Sequence, residues 1–248
     1  MQRDRHRIVI VGAATGIGAA GARALARAGW QVALVDVAED AMHAVAAEID
    51  APSAVADASS PEHLTAAIVE MAGALGGLDA AWSNVGFQTN GTVVETSVEA
   101  LDRCYALNLR SHFVCAQTAV PLLRAAGGGS ILITASNAGL QTEGSMLAYA
   151  STKAAAIALA RNLARDHAAD RIRVNALCPG YVDTPFNAPI WETFGGRDAF
   201  LTQLSETIPL GRMLTADEVA EQAVFLLSDA AALMTGQVLA VDGGELIT

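Results

Sequence analysis

The chain is short of lysine. It carries fourteen arginines but one lysine, Lys153, against 26 acidic residues. A net charge of −11 offers no basic footprint, so a nucleic-acid or anionic-membrane partner is not expected. No apolar run approaches the ~20 residues that a membrane helix needs. Cysteine is scarce too. Cys104, Cys115 and Cys178 are odd in number, widely spaced and without a CxxC pair. That excludes a disulfide framework and points to a reducing, cytoplasmic compartment. The basic start, Met1 to Arg7, runs straight into a strand-like segment with no cleavage site. His6, His43, His63, His112 and His167 form no HExxH or His/Cys cluster, so no metal is expected. Tyrosine occurs three times, as Tyr105, Tyr149 and Tyr181. A hydrophobic fraction of 52% excludes disorder, and 22 glycines without a Gly-X-Y period exclude collagen. Alanine fills about a fifth of the positions. Arg- and Ala-rich codon usage therefore explains the missing lysines, but not why one remains.

Short apolar runs alternate with helical patterns along the whole chain. Strands are expected at Arg7 to Val11, Gln31 to Val37, Ser53 to Ala56, Leu78 to Trp82, Ser130 to Ala135, Ile172 to Leu177 and Gln237 to Val241. Helices fit between them. Ser60 is placed as an N-cap ahead of Pro61, and one long helix runs from about Val98 to Ala126. The strands read as continuous apolar runs, not as period-2 alternation. The pattern predicts an α/β fold: one doubly wound domain over 1–248, with a seven-stranded parallel sheet and helices on both faces. The stretch 181–214, rich in proline and aromatics, breaks the rhythm and reads as an excursion that covers the substrate.

The first strand leads into Gly12-Ala13-Ala14-Thr15-Gly16-Ile17-Gly18, which opens the first helix. Glycines let backbone approach a pyrophosphate, and a helix N-terminus offers it unpaired N–H groups. Gly12, Thr15, Gly16, Ile17 and Gly18 are thus candidate cofactor residues, although such a loop can also merely turn the chain. There is no Gly-Lys-Ser/Thr ending for a P-loop. Asp36 ends the second strand, 18 residues after Gly18. This suits hydrogen bonds to a ribose diol, and a carboxylate there repels a 2′-phosphate, so NAD is expected over NADP. Asp57 with Ala58, and Asn84 with Gly86, follow strand ends on the ligand side of such a sheet. Each could equally be a turn residue.

Tyr149 and Lys153 stand at i and i+4, on one face of a helix. A single lysine would fall four residues after one of three tyrosines only about 1% of the time by chance. A phenol titrates near pH ~10, so base duty near neutrality requires a drop of up to ~3 units, about 4 kcal/mol. A neighbouring ammonium is expected to supply much of it, helped by a positively charged nicotinamide ring. Ser136 lies 13 residues before Tyr149 at a strand end, where it could orient a substrate oxygen or cap a helix. Asn108 sits mid-helix between leucines, which calls for a kink or a bound water.

Taken together, Gly12/Gly16/Gly18, Asn84 with Gly86, Asn108, Ser136, Tyr149, Lys153 and Pro179-Gly180 with Thr184 resemble the short-chain dehydrogenase/reductase family over nearly the whole chain. The resemblance implies a Rossmann-type fold with Tyr149 as acid/base and Ser136 orienting the carbonyl or alcohol. Lys153 would hold the nicotinamide ribose and lower the phenol pKa, and Asn108 would hold a relay water. Pro179, Gly180, Val182 and Thr184 would meet the carboxamide end of NAD. It also implies a homotetramer. Val11, Ser83 and Val85 depart from the residues usual in the family. The expected activity is hydride transfer between a secondary alcohol or ketone and NAD. Alternatives are a 3-oxoacyl carrier-protein reductase and a non-catalytic dinucleotide-binding protein. Phe87, Gln141, Tyr181, Phe186 and Trp191 are the candidate substrate contacts, with Glu143, Asn187 and Phe194 nearby.

Overall fold

The computed structural model describes residues 6–191 and 194–247. The first five residues, Glu192 and Thr193 in the excursion, and Thr248 lie outside them. β1 (Arg7–Val11), β2 (Gln31–Asp36), β3 (Ser53–Val55), β4 (Ala80–Ser83), β5 (Gly129–Thr134), β6 (Ile172–Pro179) and β7 (Val238–Val241) pair in parallel in one sheet. Their order is β3-β2-β1-β4-β5-β6-β7. In β1 the residues from Ile8 to Val11 are all buried, which is why both faces of the strand are apolar.

The intervening segments coil because each leaves a strand and must cover a face of the sheet before rejoining it. α1 (Gly16–Arg27), α2 (Glu39–Ile49) and α9 (Ala216–Leu227) pack on one face around Ile8, Ile10, Leu34 and Trp82. α3 (Pro61–Ala74), α5 (Ser111–Ala125) and α6 (Leu147–His167) pack on the other around Val9, Val11, Ile131 and Ile133. Trp82 is fully buried under α1 at Gly21, where a Cβ would overlap its ring. Ser60 does cap α3, accepting from His63 N at 3.3 Å, with Pro61 in its first turn. Among the described residues no helix is long and apolar enough to cross a membrane.

Two expectations shift. The helix from Val98 to Ala126 is not continuous. It runs as α4 (Val98–Tyr105), a π-helical turn over Ala106–Arg110, and α5. The widened turn swings buried Asn108 inward, and such turns are common where a helix serves a site. The excursion carries a short α7 (Ala188–Trp191) and α8 (Arg197–Ser205). α8 buries Phe200 and Leu204 with Ile208 and Met213, and Tyr181, Trp191 and Phe194 pack against this satellite core.

The chain leaves β1 toward β2 and β3 on one side, and returns to β4 on the other. At that reversal, the carboxyl ends of the strands open a crevice.

Candidate active site

The crevice is a cavity of about 590 Å³. One end is built by the glycine turn. Gly12 has φ +84°, and a Cβ there would come within 2.9 Å of Val85 N. A Cβ on Gly18 would run into the Gly12 carbonyl oxygen. The turn thus packs so tightly on the β4 end that only hydrogen fits at both positions. Thr15 precedes α1 without a side-chain cap bond, and no acid lies in the first turn. The first N–H groups of α1 therefore have no competing side-chain acceptor. Asp36 accepts from Ala14 N at 2.9 Å and Ala38 N at 3.0 Å, which fixes its carboxylate beside the turn. Asp57 accepts from Ser59 N at 2.8 Å, and these Ser59 bonds hold its carboxyl below the usual range.

The middle is held by Thr134, at the end of β5. Its carbonyl accepts from Lys153 Nζ at 2.9 Å. Its hydroxyl accepts from Trp82 Nε1 at 2.9 Å and donates to Asn84 Oδ1 at 2.9 Å. Asn84 Nδ2 in turn donates to the Gly12 carbonyl at 3.0 Å. Lys153 and the glycine turn are thus joined through one threonine. Asn108 accepts from Phe87 N at 2.7 Å and donates to Phe87 O at 2.8 Å and Thr152 Oγ1 at 3.1 Å. Its side chain pins the loop after β4 to α6.

At the far end Ser136, Tyr149 and Lys153 meet, all buried. Ser136 also accepts from Ala138 N at 3.2 Å, as the cap of a single 3-10 turn. The capping reading of Ser136 thus holds, with the same side chain lining the cavity. Lys153 Nζ stands 5.7 Å from the centre of the Tyr149 ring. The expected lowering of the phenol is not what the protein's own groups produce. Burial pushes Tyr149 up to about 12; a hydrogen bond from Ser136 pulls down and the Glu143 charge pushes up. Burial also pushes the Lys153 ammonium down to about 8. The reason is that both groups are taken out of water together.

Thr15, Gly16, Ile17, Asp36, Asp57, Ala58, Asn84, Gly86, Pro179, Gly180, Val182 and Thr184 line the cavity, as do Phe87, Tyr181, Phe186, Glu143 and Asn187. Gly18 and Asn108 stand behind it, acting on the turn and on Phe87. Two substrate candidates fall elsewhere. Gln141 is not part of the lining described. Trp191, like Phe194, packs on the satellite core, with Arg197 stacked 5.8 Å from its ring centre. α8 needs an apolar floor, and these aromatics provide it. Thr134, Thr152 and Glu245 were not anticipated. Glu245, buried near the C-terminus, accepts from Asn137 Nδ2 at 2.7 Å and Tyr181 N at 3.1 Å. His112 is buried with Nδ1 2.6 Å from Ser83 Oγ, and burial holds its pKa well below the usual value. Among the described residues, no group of His, Cys, Asp and Glu side chains could hold a metal.

A doubly wound sheet with a glycine turn at its switch point and a Ser/Tyr/Lys group across the crevice defines a dinucleotide-binding α/β protein. The family model described as "Enoyl-(Acyl carrier protein) reductase" matches residues 12–245. The chain is 36% identical to cis-4-hydroxycyclohexanecarboxylate dehydrogenase of Sinomonas cyclohexanicum, over 95% of this chain and 94% of that one. It is 34% identical to meso-2,3-butanediol dehydrogenase of Serratia marcescens, over 98% and 96%. The crystal structure of a short-chain type dehydrogenase/reductase from Mycobacterium marinum superposes with a TM-score of 0.90 at 32% identity, covering 98% of this chain and 96% of that one. The chain belongs to the short-chain dehydrogenase/reductase family, whose dehydrogenases use nicotinamide cofactors.

Proposed function

We propose that the protein is an NAD-dependent dehydrogenase that oxidises a secondary alcohol or reduces the matching ketone. The observation that carries this is the cavity itself: Ser136, Tyr149 and Lys153 at one end, and the glycine turn with Asp36 at the other. The cradle that Cβ atoms at Gly12 and Gly18 would fill fits a pyrophosphate. Gly12, Thr15, Gly16 and Ile17 would hold it, with Asp36 on the adenine ribose. Asn84, Gly86, Lys153, Pro179, Gly180, Val182 and Thr184 would hold the nicotinamide half. When bound, the cofactor supplies hydride acceptance and donation.

The side chains handle the proton. A Tyr149 phenol at about 12 is protonated at neutral pH, which suits it to give its proton to a carbonyl oxygen. Ser136 donates to the same oxygen and fixes its position. In the oxidative direction Lys153, 5.7 Å from the centre of the Tyr149 ring, would add to the positive charge that a bound nicotinamide brings, and so favour the phenolate that takes the proton. Asn108 keeps Phe87, a wall of the cavity, in register with α6. The stretch 181–214 covers the substrate end. The names of the two curated relatives both denote secondary-alcohol oxidation, which supports this chemistry. Cytoplasmic location and a homotetramer belong to the same reading, the latter checked by light scattering.

Tyr149→Phe is expected to lower turnover by about 10²–10⁴-fold while NADH binding, read by fluorescence, survives. Near-normal turnover in that variant refutes the assignment. Asp36 favours NADH over NADPH because no basic side chain flanks it to offset a 2′-phosphate. Initial rates with the two cofactors test this, and a clear NADPH preference would favour a carrier-protein reductase instead.

A further inference from the structure

Glu143 lines the substrate end of the cavity and is half-buried. The Tyr181 hydroxyl donates to its Oε1. Tyr181 is itself anchored: its N–H donates to Glu245 Oε1 at 3.1 Å, and its ring meets Phe200 edge-on at 6.4 Å. A carboxylate on the loop before α6 is thus clasped by a phenol at the root of the excursion. Among the described residues Glu143 Oε2 accepts no hydrogen bond. The single Tyr181 proton is spent on Glu143, so its oxygen has only lone pairs to offer. This patch of wall accepts hydrogen bonds and donates none. Met146, Pro185 and Phe186 are apolar residues that share the lining with it, the Phe186 ring 6.2 Å from that of Tyr149.

Two cations line the cavity among the described residues, and neither neutralises Glu143. Lys153 Nζ donates to the Thr134 carbonyl and forms no ion pair with Glu143 among the described residues. Arg103 stacks on Phe87 at 4.3 Å, on the Asp57 side. Glu143 and Tyr149 line the same cavity, where the Glu143 charge acts to hold that phenol up.

Resting on the dehydrogenase reading above, we propose that the substrate is a neutral diol. One hydroxyl sits on the reacting carbon at Tyr149 and Ser136, and a second donates to Glu143 Oε2 and the Tyr181 oxygen. A substrate with a carboxylate, sulfonate or phosphate in place of the second hydroxyl meets like charge and brings no proton. A simple alcohol leaves a carboxylate oxygen desolvated and unpaired.

NAD-coupled initial rates with cyclohexane-1,2-, 1,3- and 1,4-diols, cyclohexanol and the hydroxycyclohexanecarboxylates test this. The best diol is expected to exceed cyclohexanol in kcat/KM by about 10–100-fold, with the hydroxy acids lowest. Glu143→Gln is expected to lower the diol-to-hydroxy-acid ratio about tenfold. Tyr181→Phe is expected to lower the diol-to-cyclohexanol ratio. A wild-type protein that takes a hydroxy acid as well as the best diol overturns the proposal, as do ratios that neither variant moves. Melting of the NADH-loaded protein separates this from failure of the dehydrogenase reading. If nothing is turned over, a melting shift given by a diol but not a hydroxy acid, and lost in Glu143→Gln, still upholds the subsite. No diol-specific shift overturns it.

Discussion

Lys153 costs the fold stability, and the size of that cost is open to measurement. The residue is 2% exposed, and burial pushes its ammonium from 10.5 to about 8. That displacement corresponds to about 3 kcal/mol against the folded state wherever the group is charged in both states. Replacing it by methionine keeps the length of the side chain and removes the charge. The change forfeits the hydrogen bond to the Thr134 carbonyl, worth ~1.5–3 kcal/mol for a charged donor. Lys153→Met is therefore expected to be inactive, yet more stable than wild type at neutral pH by about 1 kcal/mol. The pH dependence is the sharper signature. The folded pKa lies below the unfolded one, so between about 8 and 10.5 the unfolded chain binds more protons. Wild type then gains stability as pH rises through that window, whereas the methionine variant has nothing there to titrate. Thermal unfolding of both proteins, stepped from neutral pH to the top of the window, should show their melting temperatures converging or crossing. One kilocalorie is ~2–4 °C for a chain of this size. A gap between them that does not change with pH would refute the reasoning. It would mean that the ammonium is compensated in its site.

Gly18→Ala puts a methyl into the Gly12 carbonyl and 2.8 Å from Asn84 Nδ2. It is expected to destabilise by ~2–4 kcal/mol in denaturant titrations and to abolish NADH binding; a wild-type midpoint refutes the tight-turn account. Asn108→Ala strips the Phe87 N–H and C=O of their 2.7 Å and 2.8 Å partners. A loss of ~2–3 kcal/mol is expected, together with a fall in kcat; a loss below ~0.5 kcal/mol would make the π-turn merely ornamental. With the Tyr149 phenol at about 12, alcohol oxidation is expected to climb steadily into alkaline solution and ketone reduction to fall. A pH profile flat from neutral upward contradicts this.

The sheet was legible because its strands are apolar on both faces, and each of the seven lies within about two residues of its expected position. The glycine turn, Asp36 and the Tyr149/Lys153 pair were legible because their chemistry depends on local spacing, which the chain displays directly. The π-turn at Asn108 was legible only as an oddity. A polar residue between leucines says that something is wrong with a plain helix, not which way the backbone gives. Thr134 and Glu245 escaped notice because their partners are 50 and 64 residues distant. Nothing near Glu245 in the sequence marks a carboxylate bound for Tyr181. Trp191 misled for the opposite reason. An aromatic in a loop over a pocket reads as a pocket wall, but here α8 takes it as packing. The protein's own groups alone do not lower the phenol; spacing places an ammonium near a phenol but does not say which acceptor the ammonium prefers.

The burial of Lys153 leaves the exterior of this protein without a lysine ε-amine. Reagents that couple, crosslink or immobilise proteins through lysine find no side chain to grip on its surface, where arginine carries the positive charge. Once adducts at the chain's α-amine are set apart by peptide mapping, an aldehyde or active ester thus becomes a reporter on one side-chain atom, Lys153 Nζ, at the floor of the crevice. The rate at which the chain acquires an adduct at that atom would time how often the crevice admits a small molecule from solvent, and ligands that occupy the cavity could be ranked by how far they slow it.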